Sequence, residues 1–332
     1  MLGVKKFIND HIIHNHVLIA AFVISLGWLI ITLKEVFLAV FIAYIIMAAL
    51  FPSVQFLKKH KFPNSLAVLV VYGVAILIFI LLIFPLIPFL VNQLQSLFNS
   101  FPKYLDKSAK ILNIHIDMTT ITSYVTSDVG SLFKNAMSVT TKVFGGVFSF
   151  LTVFAISFYL LLDHDNIATR IGALFSRKMQ KRGKEMFSKI EDKLGAWFRG
   201  QIVLSFSIGA LTWISLVVLD LPYALPLALL AGILEIVPTI GPIISAIPAV
   251  IVALSISPIM ALLVIFLYIF IQLLENNILV PRIMEKAVGL NPIVIILGVI
   301  VGSKLLGIAG ALLSVPFISL VVVIIHSLRL KK

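Results

Sequence analysis

The stretch LEIVPTIGPIISAIP, Leu234 to Pro248, sets one acid and three prolines inside an apolar run that extends from Tyr223 to Leu254. A run of that length exceeds the ~20 residues a helix needs to cross a bilayer core, and Glu235 falls about 20 Å along it, well inside a hydrocarbon slab about 30 Å thick. A carboxyl at that depth needs a partner, a proton or water. Three residues later Pro238 removes a backbone donor, Thr239, Gly241 and Pro242 follow, and Pro248 removes another donor. Several carbonyls therefore lose their intrahelical partners, which is tolerable only where the backbone is packed in protein or lines a polar cavity. Discontinuous helices build binding sites in this way. A kinked helix whose Glu235 is protonated or paired with a lysine, with no transport role, is the alternative.

The rest of the chain sets the same scale. Of 332 residues, 61% are apolar and only 12% charged, which identifies an integral membrane protein. Apolar runs at Val17–Leu33, Val36–Leu50, Leu66–Leu90, Val143–Leu162, Ile202–Leu219, Tyr223–Leu254, Ile259–Leu274 and Pro292–His326 predict an all-α fold of about eight transmembrane segments, two of them broken or re-entrant and both in the C-terminal half. The first run follows Lys5 and Lys6 but has no small-x-small cleavage site, so it reads as a retained helix. No cysteine is present, which excludes disulfides, thiol nucleophiles and thiolate metal sites.

Five units follow from the pattern. Residues 1–90 are expected to form a three-span unit, 91–142 extracytoplasmic amphipathic helices, 143–162 a fourth span, 163–200 a cytoplasmic basic amphipathic arm, and 201–332 a C-terminal transport unit with broken helices. In the second unit Leu90, Leu94, Leu97, Phe98, Phe101 and Leu105, then Ile121, Val125, Leu132 and Ala136, recur at helical spacing. In the arm Ile167, Ile171, Leu174, Phe175, Met186, Ile190, Leu194 and Trp197 oppose a basic face, the pattern of a helix lying on anionic lipid. A target helix for a partner protein is the other reading of that pattern. Lysines and arginines number 17 in the segments placed inside and eight in those placed outside, so both termini are expected in the cytoplasm and the chain in the bacterial plasma membrane. The net charge of +12 is read as topology and lipid attraction rather than nucleic-acid binding.

Catalytic signatures are missing. There is no G-x-x-x-x-G-K-[ST], H-E-x-x-H or G-x-S-x-G, so the chain reads as neither an ATP-driven pump nor an enzyme, and no cofactor is expected. His11, His14 and His16 sit at the water boundary before the first span, where juxtamembrane hydrogen bonding is preferred to a metal site.

A second interruption, QLLENNILVPRIMEKAVGLNP from Gln272 to Pro292, repeats the order of the first: an apolar helix ending in Leu-Glu, then a proline, Pro281. GPIISAIP and GALLSVP, the latter Gly310 to Pro316, echo each other as well. Paired interruptions of this kind point to a transporter site. Gln272, Glu275, Asn276 and Asn277 offer donors and acceptors for a small hydroxylated solute or a hydrated cation. Glu275 pairing with Arg282 near the interface, with the asparagines as caps, is the plainer alternative. Asn291 and Pro292 open the last apolar stretch, which is too long for one straight crossing. Within it Lys304 is expected at a polar turn near Gly302 and Gly307, or else as a buried partner of Glu235 or Glu275.

Four segments in order, GQIVLSFSIGAL, LAGILEIVPTIGPIISAIPA, LLENNILVPRIMEKAVGLNPIVIILG and GIAGALLSVP, resemble the successive signatures of the autoinducer-2 exporter family, the PerM-type permeases. They lie between about Gly200 and Pro316. The family's pattern falls on Glu235, Pro238, Gly241, Pro248, Glu275, Asn276, Pro281, Pro292, Gly307, Gly310 and Pro316. The resemblance implies an eight-span, commonly homo-oligomeric inner-membrane protein that exports a small signal such as autoinducer-2, or one linked to sodium/proton exchange. The expectation is a secondary exporter of a small hydrophilic solute, with proton or sodium as coupling ion. A monovalent cation/proton antiporter is the alternative, and a non-transporting scaffold a third.

Overall fold

A computed structural model describes residues 20, 24–25, 27–29, 31–114, 136–167, 177–237, 240–284 and 291–329. Every regular element among them is helical: α1 (Lys34–Lys59), α2 (Asn64–Ile111), α3 (Ala136–Leu162), α4 (Arg177–Val218), α5 (Ala224–Leu234), α6 (Ile240–Leu254), α7 (Pro258–Leu274), a π-helical turn (Glu275–Leu279), α8 (Val280–Met284) and α9 (Pro292–Arg329). Five helical stretches are long and apolar enough to cross a membrane, and three shorter apolar helices accompany them. The fold is that of an all-α integral membrane protein. Its outward-facing side chains agree, since Phe206 is 78% exposed and Ile308 80%, as suits a surface against hydrocarbon rather than water. His11, His14, His16, Ile121, Val125, Leu132, Ile171, Leu174 and Phe175 lie outside the described residues.

The first three helices share a core of Met47, Val54, Ala67, Val68, Tyr72, Phe154 and Leu161. Tyr72 crosses it to Ser157, oxygen to oxygen 2.6 Å, with its ring edge against Phe154 and Phe158. Lys61, at φ 68°, turns the chain between α1 and α2, and Asn64 Nδ2 donates to the Leu162 carbonyl at 3.2 Å, closing the end of α3. The helix α2 runs without interruption through residue 90 and on to Ile111, so no break in the backbone marks the boundary expected there. Likewise α4 is one helix through residue 200, joining arm and span.

Helix α4 is the spine on which the rest is hung. Pro52 in α1 has no N–H, which frees the Ala48 carbonyl. Arg199 Nη1 reaches across to Ala48 O at 3.3 Å and Ala49 O at 2.9 Å. A side chain at Gly195 would run into that Ala48 carbonyl, so glycine is what lets the two backbones cross there. Along the arm Ile190, Leu194 and Trp197 are buried while Lys184 and Lys189 are exposed.

The arm is also pinned at the end of α3. His164 places Nε2 3.0 Å from Glu191 Oε1 on α4 and Nδ1 3.1 Å from Asp165 Oδ1, with the Phe51 ring 4.5 Å from its own. Both ring nitrogens face carboxylate oxygens, an arrangement only the imidazolium satisfies twice, because it alone donates from both. The Glu191 hydrogen bond is the main cause that raises the His164 pKa above its ordinary value, burial working against it and Asp165 adding to it. The same His164 contact, with Lys58 at 3.5 Å, holds the Asp165 carboxyl below the usual range. Tyr44 Oη donates to the same Glu191 oxygen at 3.4 Å.

Two helical hairpins lean on α4. In the first, the chain turns at Asp220 (φ 51°) and Tyr223 (φ 60°), descends as α5, and returns as α6. Both open ends of this hairpin are tied to α2, by Ser100 Oγ and Tyr223 Oη at 3.0 Å and by Ser108 Oγ donating to Ile251 O at 3.1 Å. Ser257 then caps α7, accepting from the Met260 N–H at 3.1 Å with Pro258 as first helical residue. The second hairpin is α9 itself, in which Leu306 (φ −133°) and Gly307 (φ 61°, ψ −142°) are non-helical. A straight helix would hold residues 302 and 310 about 12 Å apart. Here a side chain on either Gly302 or Gly310 would strike the other's carbonyl, and one on Gly298 would strike Ile318, so residues 292–305 and 308–329 are two antiparallel arms. Lys304 is exposed beside that turn, as the turn reading expected, and is not a buried partner of either glutamate.

Candidate functional site

The break expected in LEIVPTIGPIISAIP is the tip of the first hairpin. The apolar helix α5 ends at Leu234, with Glu235 as its C-cap, and the turn is closed by Val237 N–H to Leu234 O at 3.0 Å and Gly241 N–H to Val237 O at 2.9 Å. A Cβ at Gly241 would collide with the Leu234 carbonyl, so glycine permits the reversal. Pro242 falls in the first turn of α6, where no N–H is needed, and Pro248 lies within the continuous helix α6 rather than ending it. Pro238 and Thr239 are outside the described residues. The negative end of α5 and the positive end of α6 thus meet at one place, the electrostatic arrangement of a broken-helix site.

The second interruption arrives at the same place. Pro281 cannot donate, and its ring would clash with the carbonyl four residues back. The helix answers by widening into the π turn Glu275–Leu279, in which Val280 N–H bonds Glu275 O. Glu275 is the C-cap of α7 as Glu235 is of α5, so the repeated Leu-Glu puts each acid at the end of an apolar helix.

Glu235 is 1% exposed and Glu275 5%, and their side chains are neighbours. Gln272 Nε2 donates to Glu275 Oε2 at 3.0 Å, and Gln201 Nε2 on α4 donates to the Glu235 backbone carbonyl, also at 3.0 Å. Glu235 Oε2 has no hydrogen-bond partner although it is buried.

Among the expected residues, Glu235, Gln272 and Glu275 are therefore brought together. Asn276 and Asn277 are exposed, and Asn277 Nδ2 donates to its own helix at Leu273 O, 2.8 Å. Arg282 is exposed, so the alternative of an interfacial Glu275–Arg282 pair does not describe this buried acid. Asn291 Oδ1 accepts from Ile293 N–H at 2.9 Å, capping α9 ahead of Pro292. Gly302, Gly307 and Gly310 serve the second hairpin, and Pro316 lies within its return arm without interrupting it. Gln201 was not anticipated. Its signal in the sequence is a lone amide beside Gly200 at the start of an apolar run, and Gly200 lies against α8, where a Cβ would be 2.8 Å from Met284 Sδ and 3.3 Å from the Ile283 carbonyl.

Helices with apolar exteriors, two of them broken around a buried acid pair, define a multi-pass membrane protein of the transporter class. Comparison with known proteins agrees: the profile of the AI-2E family transporter matches residues 17–330, and the chain belongs to that family. It is 29% identical over 317 residues to the putative transport protein YrrI of Bacillus subtilis, covering 92% of this chain and 89% of that one. It is 26% identical over 312 residues to the AI-2 transport protein TqsA of Escherichia coli, covering 89% and 88%. To the putative permease PerM of Escherichia coli it is 31% identical over 172 residues, about half of each chain at 51% and 48%.

Proposed function

We propose that this transporter is a secondary exporter of a small hydrophilic solute, with a signal of the autoinducer-2 class as the first candidate, and that Glu235 and Glu275 form its proton- or cation-binding site. The observation that carries the reading is the buried acid pair with one carboxylate oxygen unpartnered, placed where two interrupted segments converge. A scaffold has no use for such a pair. The name of the Escherichia coli relative TqsA supports the solute class. The proposal includes cytoplasmic termini, an arm resting on anionic lipid, and assembly as a homo-oligomer, from the charge asymmetry, the amphipathic pattern and the family resemblance in turn.

A sodium/proton antiporter is the second reading, favoured by the same carboxyl pair, which has the chemistry to exchange a proton for a monovalent cation. Purified protein in liposomes separates the two. Labelled autoinducer-2 is expected to cross, driven by a proton or sodium gradient. A pH change coupled to sodium without solute flux selects the antiporter, and silence in both assays overturns transport by the pair.

A further inference from the structure

Among the described residues four buried side-chain oxygens have no hydrogen-bond partner; Ser319 Oγ is on α9, and the other three, Glu235 Oε2, Ser205 Oγ and Tyr268 Oη, lie on the helices around the break. An isolated orphan in a dense core is rare, and several on neighbouring elements call for a common cause. Ser205 stands one turn beyond Gln201 on α4, at a point where Gly232 of α5 approaches so closely that a Cβ would lie 2.9 Å from the Ser205 carbonyl. Tyr268 stands four residues before Gln272 and seven before Glu275, so all three share one face of α7. That face is apolar one turn further along, at Val264. There Leu216, Leu227, Val252 and Val264 are all fully buried at 0% exposure in one cluster, against which Tyr268 packs.

Polar groups thus continue from the acid pair for about 10 Å along α7, by the rise of seven residues, and end abruptly at a dry layer. Burying a tyrosine hydroxyl without a partner disfavours the folded protein, and phenylalanine would fit the same ring without that penalty. We propose that Tyr268 is a pathway residue, whose hydroxyl bonds water or a hydroxyl of the transported solute between the acid pair and an apolar gate formed by Leu216, Leu227, Val252 and Val264. This inference rests on the transport reading of the same site. It adds a third polar group to the path and names what closes it.

The cysteine-free chain makes the test direct. Single cysteines replace Tyr268, Val264 in the dry layer, and Phe270 on the exposed side of α7, and each variant in liposomes is treated with a charged methanethiosulfonate added to both sides. Such reagents attack a hydrated thiolate, so Tyr268→Cys is expected to react about tenfold or more faster than the other two, and more slowly when the transported solute or ion is saturating. A Tyr268→Cys rate equal to that of Val264→Cys overturns the proposal. Tyr268→Phe removes only the oxygen and is the second arm: at matched folded protein it should lower the flux the wild type carries, and unchanged flux equally overturns the proposal. If the wild type carries neither solute nor ion while Tyr268→Cys still reacts fast, the transport reading fails and the hydrated chain stands, so the two failures are distinct.

Discussion

The two hairpins that lean on α4 are built from the same materials and end differently. The first, α5 and α6, reverses over several residues and leaves a buried carboxyl at its tip, with Glu275 at the end of α7 beside it and Gln201 of α4 bonded to the backbone carbonyl of the same residue. The second, α9, reverses on Leu306 and Gly307 alone, with Gly302 and Gly310 zipped backbone to backbone and Lys304 left exposed. Glycine in the second serves close packing, the ordinary use of small residues between membrane helices. In the first it serves a turn that presents chemistry. A proline- or glycine-rich interruption therefore does not by itself locate a site; what sets the first apart is a buried acid with one oxygen unpartnered, on which the proposed function rests.

The comparison is broken most sharply at its two tips. Glu235→Gln keeps size and hydrogen bonding but cannot ionise, so flux in liposomes should fall to the level of empty vesicles while the protein still purifies as folded; full flux would make the acid pair a packing feature. In the second hairpin the large effect should be on stability instead. Gly302→Val drives a branched side chain into the Gly310 carbonyl, and overpacking of that kind should lower stability by about 3 kcal/mol or more, read as a fall in thermal midpoint in detergent. Retention of the wild-type midpoint would mean that the two arms are not in contact.

Gly307→Ala sharpens the contrast further. Nothing lies within 4 Å of a Cβ there, so only the backbone conformation at φ 61° opposes the change, and a loss of about 1–3 kcal/mol is expected with flux per folded molecule unaltered. The smallest effect belongs to the arm. The raised pKa of His164 means that its ties to Glu191 and Asp165 contribute stability fully below the unfolded value of about 6.5, and that this contribution is lost as pH rises through the folded pKa. His164→Gln should therefore lower the thermal midpoint most at pH 5.5 and converge on the wild type at alkaline pH. A deficit that grows with pH would reverse the assignment.

Both breaks were legible in the chain because prolines, glycines and an acid in an apolar run violate the rules of a membrane helix one residue at a time. The repeated Leu-Glu set Glu235 and Glu275 in like positions but did not say that they meet, since periodicity gives a residue's face and not its partner. Gln201, 34 residues from Glu235, and Arg199, about 150 residues from the carbonyls it satisfies, make contacts that no local pattern announces. The prolines misled in the opposite direction. Pro248 and Pro316 remove donors yet lie within continuous helices, because the loss of one hydrogen bond is tolerable where neighbouring helices hold the segment in place.

The unbroken course of α4 makes one rod common to the surface and the interior. From its crossing with α1 at Gly195 and Ala48, the start of the helix at Arg177 lies about 27 Å along one side and Gln201 about 9 Å along the other, and the helix continues past Gln201 to Val218. The rod is fastened on both sides of that crossing, by Glu191 to His164 and by Arg199 to the α1 carbonyls. The amide that bonds the Glu235 backbone is therefore set in place by the same element that carries the exposed Lys184 and Lys189, with no loop between them.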